Sequence, residues 1–356
     1  MERQLTTSPV PAESGEIWLV MDSRSIGGIE NHVFILADEL RRHGLNAVVV
    51  LMADYGSSPN INRMKRLNLP YRLCQNTQDF LRQLKAHPPL LLHSHGYKAG
   101  IICRLLGRWY GCKVVSTFHS GDLGRGRVRW YSLIDLATAF LGRRIAVSRA
   151  IARRLPPPVT VIANFVSLPP RAAVQPEPAF RVGFVGRLSH EKGPDLFCSL
   201  AALHPRAEFH VYGDGPMRSA LEADYLGHVE FHGFCADMSE VWPQIDLLCI
   251  TSRAEGLPLA ALEAMANGIP VCSFAIGGLG DLITHGDNGW LLPAGDLNAM
   301  SQALHEWQQL PTSEYLRRQH CARETIRQHY TPETALPQII AVYQRALGPQ
   351  ASRLHG

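Results

Sequence analysis

The sequence predicts an α/β fold built from two doubly wound domains in succession. Short apolar strands alternate with helices along most of the 356 residues. The strand segments are apolar on both faces, which is typical of strands buried inside a parallel sheet. The alternation stops once, at Ser167–Pro178, where four of the twelve residues are proline. A chain of this length suffices for two domains of roughly 150 residues each.

The first series of elements begins with the predicted strand Ile17–Met21. The glycine-containing loop Ser23–Gly28 leads from it into a helix over Glu30–His43, whose apolar residues recur at helical spacing. Gly44 is placed to end this helix in a left-handed conformation. A second strand is predicted at Ala47–Met52. Further strands are predicted at Leu90–His93, Val114–Phe118, Arg144–Val147 and Thr160–Ile162.

A second series of strands and helices follows the proline-rich segment. We expect domains over residues 1–168 and 179–334, a linker over 169–178, and a closing helix within 335–356. The predicted strands are Arg181–Gly186, Glu208–Tyr212, His228–Phe231, Leu247–Thr251, Val271–Phe274 and Gly289–Leu292. The predicted helices are Pro194–Leu203, Pro216–Tyr225, Leu259–Asn267 and Ala335–Leu347.

Composition excludes several classes of protein. An apolar fraction of 46% and a net charge of +4 exclude a chain that is disordered throughout. The longest apolar runs are far shorter than the ~20 residues of a membrane-spanning helix. Residues 1–16 lack the apolar region of a secretory signal. The eight cysteines contain no CxxC pair, so we expect free thiols and a cytoplasmic protein.

The net charge conceals an asymmetry between the two halves. Residues 1–173 carry a net charge of +12, whereas residues 174–356 carry −8. Such a difference indicates separate domains that face separate partners. Two alternatives are surfaces charged for solubility and halves that attract each other. Charge alone does not distinguish them.

Glu255 and Glu263 bracket the start of a predicted helix that follows the strand Leu247–Thr251. Pro258 fits the first turn of that helix, where its missing N–H costs nothing. The free amides at a helix start form an anion site, and two carboxylates so placed can bind different ligand hydroxyls. The alternative is that both carboxylates are ordinary charges near a helix N-terminus.

Three other loops follow predicted strands and carry candidate binding residues. Arg187 and Lys192 precede the helix that starts at Pro194, and two cations there suit a diphosphate. Gly27 and Gly28 follow the first strand, where glycine allows close approach of a phosphate, although a tight turn explains them equally. His119 ends a strand as a candidate polar contact or proton carrier.

The sequence predicts no metal site. His93 and His95 are accompanied by no carboxylate or cysteine pattern that would complete a set of ligands. The chain also contains no Asp-x-Asp pair of the kind that holds a metal-bound diphosphate. Cations and helix N-termini would then neutralise the phosphates.

Taken together, these motifs resemble the group 1, or family 4, retaining glycosyltransferases of GT-B fold. The resemblance covers about residues 17–345, and it depends on the order and spacing of the motifs more than on any one of them. The fold it implies is two Rossmann-like domains facing a central cleft. The motifs are Gly27-Gly28-Ile29-Glu30, His119, Ser148, Gly186-Arg187, Lys192-Gly193, Tyr212-Gly213-Asp214-Gly215-Pro216, and Glu255 with Glu263.

The resemblance implies sugar transfer from a nucleotide diphosphosugar bound mainly by the C-terminal domain. Arg187 and Lys192 match the family's diphosphate-binding pair. Glu263 matches the carboxylate that holds the ribose hydroxyls, and Glu255 matches the one that contacts the donor sugar. The amides of residues after Glu255 usually help to hold the donor. Pro258 cannot donate, so the candidates are Leu257, Leu259 and Ala260.

In the N-terminal domain, the resemblance implies that Gly27 and Gly28 form a loop that closes on the phosphate. His119 matches a histidine near the donor sugar, and the closing helix would cross back onto this domain. Two segments depart from the family pattern, Asn164-Phe165-Val166-Ser167 near the hinge and Gly277-Gly278-Leu279-Gly280-Asp281 near the donor pocket. These departures bear on hinge geometry and donor identity more than on activity.

The expected mechanism is retaining and independent of metal. No carboxylate is placed as a nucleophile, unlike in retaining glycosidases. As the family is thought to do, the acceptor hydroxyl would attack on the same face, assisted by the leaving phosphate. The sequence does not distinguish UDP from GDP, because contacts to the base are largely backbone, around Gly233–Met238; a UDP-sugar is the prior expectation.

The basic N-terminal half is expected to face the acceptor, a glycan or lipid-linked molecule in cell-envelope polysaccharide or lipopolysaccharide synthesis. Arginines at 125, 127 and 129 adjoin Trp130 and Tyr131. An anionic membrane surface, which would make the protein peripheral on the inner face of the cytoplasmic membrane, and an acidic acceptor both fit this pattern. A third interpretation is a basic surface that has no specific partner. Nucleic acid is not expected as a partner, because the sequence contains no nucleic-acid-binding motif. A sugar-nucleotide epimerase of the same fold and a non-catalytic donor-binding subunit are the alternative functions.

Overall fold

The computed structural model describes residues 15–23, 27–56, 59–120, 127–170 and 180–354. Contacts divide these residues into two compact units, one within Met1–Asn164 and Pro332–Gly356 and the other within Phe165–Thr331. The first boundary lies four residues before the predicted one. The predicted linker falls outside the described residues from position 171 onward.

The described residues of the first unit form a seven-stranded parallel sheet in the order β3-β2-β1-β4-β5-β6-β7. Strands β1 and β2 are buried along their whole length, as their apolar sequences predict. Strand β4 is buried as well, although three of its five residues are His or Ser. The strands are β1 (Ile17–Met21), β2 (Ala47–Leu51), β3 (Tyr71–Leu73), β4 (Leu91–His95), β5 (Lys113–Phe118), β6 (Arg143–Ala146) and β7 (Val159–Val161).

Helices connect these strands, and the C-terminal helix returns to the same unit. Helix α13 packs against α1 and against β5, and its Tyr343 is fully buried. The helices are α1 (Gly28–Arg42), α2 (Pro59–Arg66), α3 (Thr77–Ala86), α4 (Tyr97–Tyr110), α5 (Arg127–Thr138), α6 (Arg149–Ala152) and α13 (Pro332–Leu347), with a 3₁₀ turn at Ala139–Leu141.

The described residues of the second unit form a six-stranded parallel sheet in the order β10-β9-β8-β11-β12-β13. Its core joins Phe184, Phe197, Phe274 and Trp290 from strands and helix. The strands are β8 (Arg181–Val185), β9 (Glu208–Tyr212), β10 (Glu230–Gly233), β11 (Leu247–Ile250), β12 (Val271–Phe274) and β13 (Gly289–Leu292). The helices are α7 (Pro194–Ala201), α8 (Arg218–Asp224), α9 (Leu259–Ala266), α10 (Leu279–Leu282), α11 (Leu297–Gln308) and α12 (Thr312–His329).

The prediction of two doubly wound α/β domains is confirmed, since both sheets are parallel and both reverse strand order once. The reversal lies between β1 and β4 in the first sheet and between β8 and β11 in the second. Among the described residues, no helix combines the length and hydrophobicity needed to span a bilayer. No disulfide forms, and all eight cysteines are free.

Candidate functional site

The residues that the sequence singles out lie in loops at the carboxyl ends of parallel strands. In the second unit, Arg187 and Lys192 follow β8, and Glu255 follows β11. These two strands are neighbours at the point where strand order reverses, which is where doubly wound sheets bind ligands. In the first unit, Gly27 follows β1 and His119 follows β5. Each unit therefore carries its own group of candidate residues.

Lys192 and Glu255 form an ion pair in the second unit. The Lys192 Nζ lies 2.7 Å from Oε1 and 2.9 Å from Oε2 of Glu255. The Ser252 hydroxyl donates to Oε1 at 2.7 Å. The carboxylate side chain is only 7% exposed, while that of the lysine is 32% exposed. Because an unpaired carboxylate at this depth is unfavourable, Lys192 and Ser252 hold Glu255 in one orientation.

Two further hydrogen bonds join the Lys192 loop to the Glu255 loop. The Arg253 backbone N–H donates to the Glu191 carbonyl at 2.8 Å, and the Thr251 hydroxyl donates to the Gly193 carbonyl at 2.7 Å. Gly193 has a φ of +64°, and a Cβ there would lie 2.2 Å from the Thr251 oxygen. Only glycine fits this close approach, so the two loops move as one unit.

Arg253 also binds the first turn of α7. Its guanidinium donates to both carboxylate oxygens of Asp195, at 2.9 and 2.6 Å, and to the His190 carbonyl at 2.8 Å. The two-point contact lowers the pKa of Asp195. The sequence analysis did not identify Ser252 or Arg253, because polar residues in irregular loops produce no periodic signal, and it did not identify Asp195, in the first turn of α7, because its partner lies 58 positions away.

The Arg187 side chain is exposed and has no hydrogen-bond or ion-pair partner among the described residues. Its loop packs against the loop that follows β9. The Leu188 N–H donates to the Asp214 carbonyl at 3.0 Å, and a Cβ at Gly213 would lie 1.9 Å from the Gly186 oxygen. The glycines of the Tyr212–Pro216 motif therefore serve close packing of two loops, and they leave the Arg187 side chain directed away from protein partners.

Helix α9 begins at Leu259, with Pro258 as the residue that caps it rather than as part of the first turn. The structure therefore places Pro258 one residue before the first turn that the sequence predicted for it, with an extended ψ of 129°. Leu259 and Ala260 carry first-turn amides, which an α-helix leaves without intrahelical acceptors. Leu257 precedes the cap and is buried. Glu263 lies half-buried within the helix, and its assignment to the ribose stays a prediction.

The loop at Gly277, which departs from the family pattern, touches the backbone of Glu255. Gly277 has a φ of +55°, and a Cβ there would lie 2.3 Å from the Glu255 carbonyl oxygen. The neighbouring Gly278 N–H donates to the Gly256 carbonyl at 2.5 Å. This loop therefore positions the chain on which Glu255 stands.

In the first unit, Gly27 caps helix α1 and Gly28 begins it. A Cβ at Gly27 would lie 3.0 Å from Oε2 of Glu30, whereas one at Gly28 would meet no described atom within 4 Å. Burial raises the pKa of Glu30, against hydrogen bonds from Ser23 and from backbone amides. Residues 24–26 of the loop lie outside the described residues.

His119 belongs to a cluster of four histidines. Its Nε2 lies 3.0 Å from Nδ1 of His95, and its ring contacts that of His32 at a centroid distance of 5.0 Å. His93 hydrogen-bonds the Tyr343 hydroxyl and the Thr117 hydroxyl, both at 2.7 Å. Burial lowers the pKa of His32 to about 4 and that of His93 to about 3. It also holds the pKa values of His95 and His119 well below the usual range, so all four rings are neutral at pH 7.

Two groups of described residues have the composition of metal ligands. Ring nitrogens of His32, His95 and His119 lie within 4.8 Å of one another, and so do ligand atoms of His210, Glu230 and His232. Neutral imidazole is the form that binds Zn²⁺. The sequence analysis did not identify either group, because each one combines residues from separate elements: α1, β4 and the end of β5 in the first, and β9 and β10 in the second. Whether transfer uses a metal remains a prediction.

Comparison with known proteins gives consistent matches in both units. Residues 179–309 match the family model described as glycosyl transferases group 1. Residues 26–168 match the model described as glycosyltransferase family 4. Together, the two matches include every candidate residue named above.

Individual relatives and structures agree with these family matches. The chain is 39% identical over 135 residues to a 2-deoxystreptamine N-acetyl-D-glucosaminyltransferase of Streptomyces fradiae, covering 34% of this chain and 32% of that protein. It is 32% identical over 195 residues to the lipopolysaccharide core mannosyltransferase LpsB of Rhizobium meliloti, covering 46% and 56%. The chain thus spans about a third and about half of these relatives. Anabaena HepE, solved with UDP and glucose, superposes with a TM-score of 0.79 at 21% identity, covering 92% of this chain and 98% of that one.

Proposed function

The chain belongs to the group 1, or family 4, glycosyltransferases of GT-B fold, and on this basis we propose that it transfers a sugar from a nucleotide diphosphosugar. The acceptor is a glycan or a lipid-linked molecule in polysaccharide or lipopolysaccharide synthesis. The observation that carries the proposal is the Lys192–Glu255 pair at the strand-order reversal of the second unit. A relative named as a lipopolysaccharide core biosynthesis mannosyltransferase supports a glycan or lipid-linked acceptor.

The pair can bind a donor without being broken. An ammonium group has three N–H donors, and Glu255 uses at most two of those of Lys192. The third remains for a phosphate oxygen. A carboxylate has about four acceptor sites; Lys192 and Ser252 fill three of those on Glu255, which leaves one for a sugar hydroxyl.

Charge develops on the leaving diphosphate as the bond to the anomeric carbon breaks. Lys192, the exposed Arg187 and the first-turn amides of α9 would stabilise that charge. Preorganised donors of this kind each contribute about 10²–10³ in rate in well-studied enzymes. His119, Gly27 and Gly28 are assigned to the donor sugar and phosphate by the family resemblance.

The finer parts of the proposal are a UDP-sugar donor, retention of anomeric configuration, and transfer without metal. A fold relative solved with UDP and glucose supports the donor. Retention is expected from the family resemblance; since the sequence places no carboxylate as a nucleophile, it would proceed by same-face attack of the acceptor hydroxyl and not by double displacement. Cationic side chains at the diphosphate site support independence from metal.

The proposal is tested with a coupled assay for released nucleoside diphosphate, run over UDP- and GDP-sugars with cell-envelope acceptors. We expect acceptor-dependent release that persists in EDTA, and a product anomer, read by NMR, that matches the donor. Conversion of the sugar nucleotide without an acceptor would indicate an epimerase. Donor binding without turnover would indicate a non-catalytic subunit. Either result contradicts the proposal.

The Lys192→Ala variant tests the site. We expect transfer to fall by at least about 10²-fold because the diphosphate loses a preorganised cation, while the circular dichroism spectrum is unchanged. Arg206→Ala, which removes an exposed cation elsewhere in the same unit, is the matched control and should retain activity. A fully active Lys192→Ala enzyme would overturn this assignment.

A further inference from the structure

Helix α5 in the first unit presents large apolar side chains to solvent. Trp130 is 71% exposed, and Leu133 and Ile134 are also exposed. Positions three and four residues apart lie on one face of a helix. An apolar stripe at this spacing ordinarily faces the core of a protein, whereas here it faces outward.

The opposite face of α5 is polar, and it is the face that is buried. Asp135 forms an ion pair of 2.5 Å with Arg104 of α4, whose side chain is fully buried. The Arg104 guanidinium also donates to the Asp135 carbonyl, to Thr138 Oγ1 and to Ser116 Oγ. Helix α5 is therefore attached to α4, and through Arg104 to Ser116 of β5, by a buried polar network.

Neighbouring elements of the first unit also expose large apolar side chains. Helix α4, which packs against α5, exposes Leu105 and, at 80%, Trp109. Phe140, in the 3₁₀ turn after α5, is exposed as well. A cavity of about 240 Å³ between α3 and α4 has Leu105 in its wall. We call the six side chains of Leu105, Trp109, Trp130, Leu133, Ile134 and Phe140 the apolar face.

Basic residues dominate the chain around the apolar face. Residues 105–154 contain ten Lys or Arg and two Asp. Of these two aspartates, Asp135 forms an ion pair with the buried Arg104, and Asp122 lies outside the described residues. Exposed Arg108 and Arg129 directly precede Trp109 and Trp130. Cations beside tryptophans are the combination found at the boundary between lipid and water.

We propose that the apolar face is a docking surface for a bilayer that contains anionic lipid. Trp109 and Trp130 would insert at headgroup depth, while the flanking arginines contact phosphates. An acidic glycan would be attracted by the arginines but would gain nothing from Leu133, Ile134 or Phe140. A second copy of the chain would bring two basic surfaces together, which opposes association. The proposal goes beyond sugar transfer and does not depend on it.

Vesicle co-sedimentation tests the proposal without donor or acceptor. The full chain is mixed with vesicles of phosphatidylcholine alone and of phosphatidylcholine with phosphatidylglycerol. We expect binding to the anionic vesicles, which weakens as salt is raised. The Trp109→Ser/Trp130→Ser variant should bind at least about tenfold more weakly, because it removes the main insertable area. The Arg129→Glu variant should lose about fivefold or more.

Matched controls come from the second unit. Leu226→Ser removes a side chain that is 85% exposed, and Phe234→Ser removes an exposed aromatic residue. Both variants should bind vesicles as the parent protein does. Arg206→Glu, the control for the charge change, should also bind vesicles as the parent does. Absence of vesicle binding would overturn the proposal. If vesicles are not bound, two other results would identify a different partner and overturn the proposal. One is a dimer in solution that the tryptophan variant dissociates. The other is retention on an acidic polysaccharide that only arginine variants lose.

Discussion

Lys192 is the only lysine in residues 114–356, and the structure places it on the one carboxylate that the family resemblance assigns to the donor sugar. The sequence analysis assigned each residue a separate role. The structure shows instead that the cation and the carboxylate are paired with each other. Ser252 completes the arrangement by fixing the carboxylate oxygen that Lys192 approaches most closely.

At the residue scale, we predict that Ser252→Ala lowers kcat/KM for the donor by about tenfold to a hundredfold, as loss of one hydrogen bond to a charged group implies. The Glu255 carboxylate would remain paired with Lys192 but would gain rotational freedom. Initial rates over a donor concentration series measure the effect. Ser199→Ala, which removes a hydroxyl bonded to the Asp195 carbonyl on α7, is the control. Equal values for both variants would show that Ser252 does not position Glu255.

At the element scale, the central strands were predicted well because most of them are apolar runs that the sheet buries on both sides. Strands β1, β9, β12 and β13 have the predicted bounds. The three-residue β3 was missed, because it is short and only half-buried. Helix α5 was missed as well. Its apolar residues face solvent and its buried residues are polar, so the usual pattern does not apply.

The loops at the carboxyl ends of the second sheet depend on glycines whose role only the structure shows. We predict that Gly277→Ala destabilises the protein by about 1–3 kcal/mol and reduces transfer, because φ is positive and the new Cβ would strike the Glu255 carbonyl. Thermal unfolding and the transfer assay measure the two effects. Gly280→Ala, three residues on, would meet no described atom within 4 Å and should be silent. A silent Gly277→Ala would show that this loop does not constrain Glu255.

At the scale of the whole molecule, buried histidines make the stability of the first unit sensitive to acid. The first unit buries His32 and His93 as neutral rings with pKa values of about 4 and about 3, against about 6.5 in an unfolded chain. The unfolded state therefore binds more protons below pH 6.5. The stability of the first unit is complete above that pH and falls as the pH is lowered towards 4.

We predict that lowering the pH from 7 to 5 destabilises the first unit by about 2 kcal/mol for each of these histidines. Differential scanning calorimetry at the two pH values measures the shift of its transition. His93→Gln removes one titrating ring and should reduce the pH dependence by about one proton, whereas replacement of the exposed His228 should leave it unchanged. An identical pH dependence in His93→Gln would contradict the assignment.

The sequence by itself determined the class of fold, the two series of strands, and the loops that carry the candidate donor-binding residues. These properties are local, since buried strands are apolar and ligand loops follow strand ends. Only the tertiary structure decided which side chains meet: Lys192 with Glu255 across 63 positions, and four histidines from α1, β4 and the end of β5. The apolar stripe of α5 faces solvent in the structure, because the ion pair and hydrogen bonds of Arg104 with Asp135 hold the polar face of that helix on the protein side.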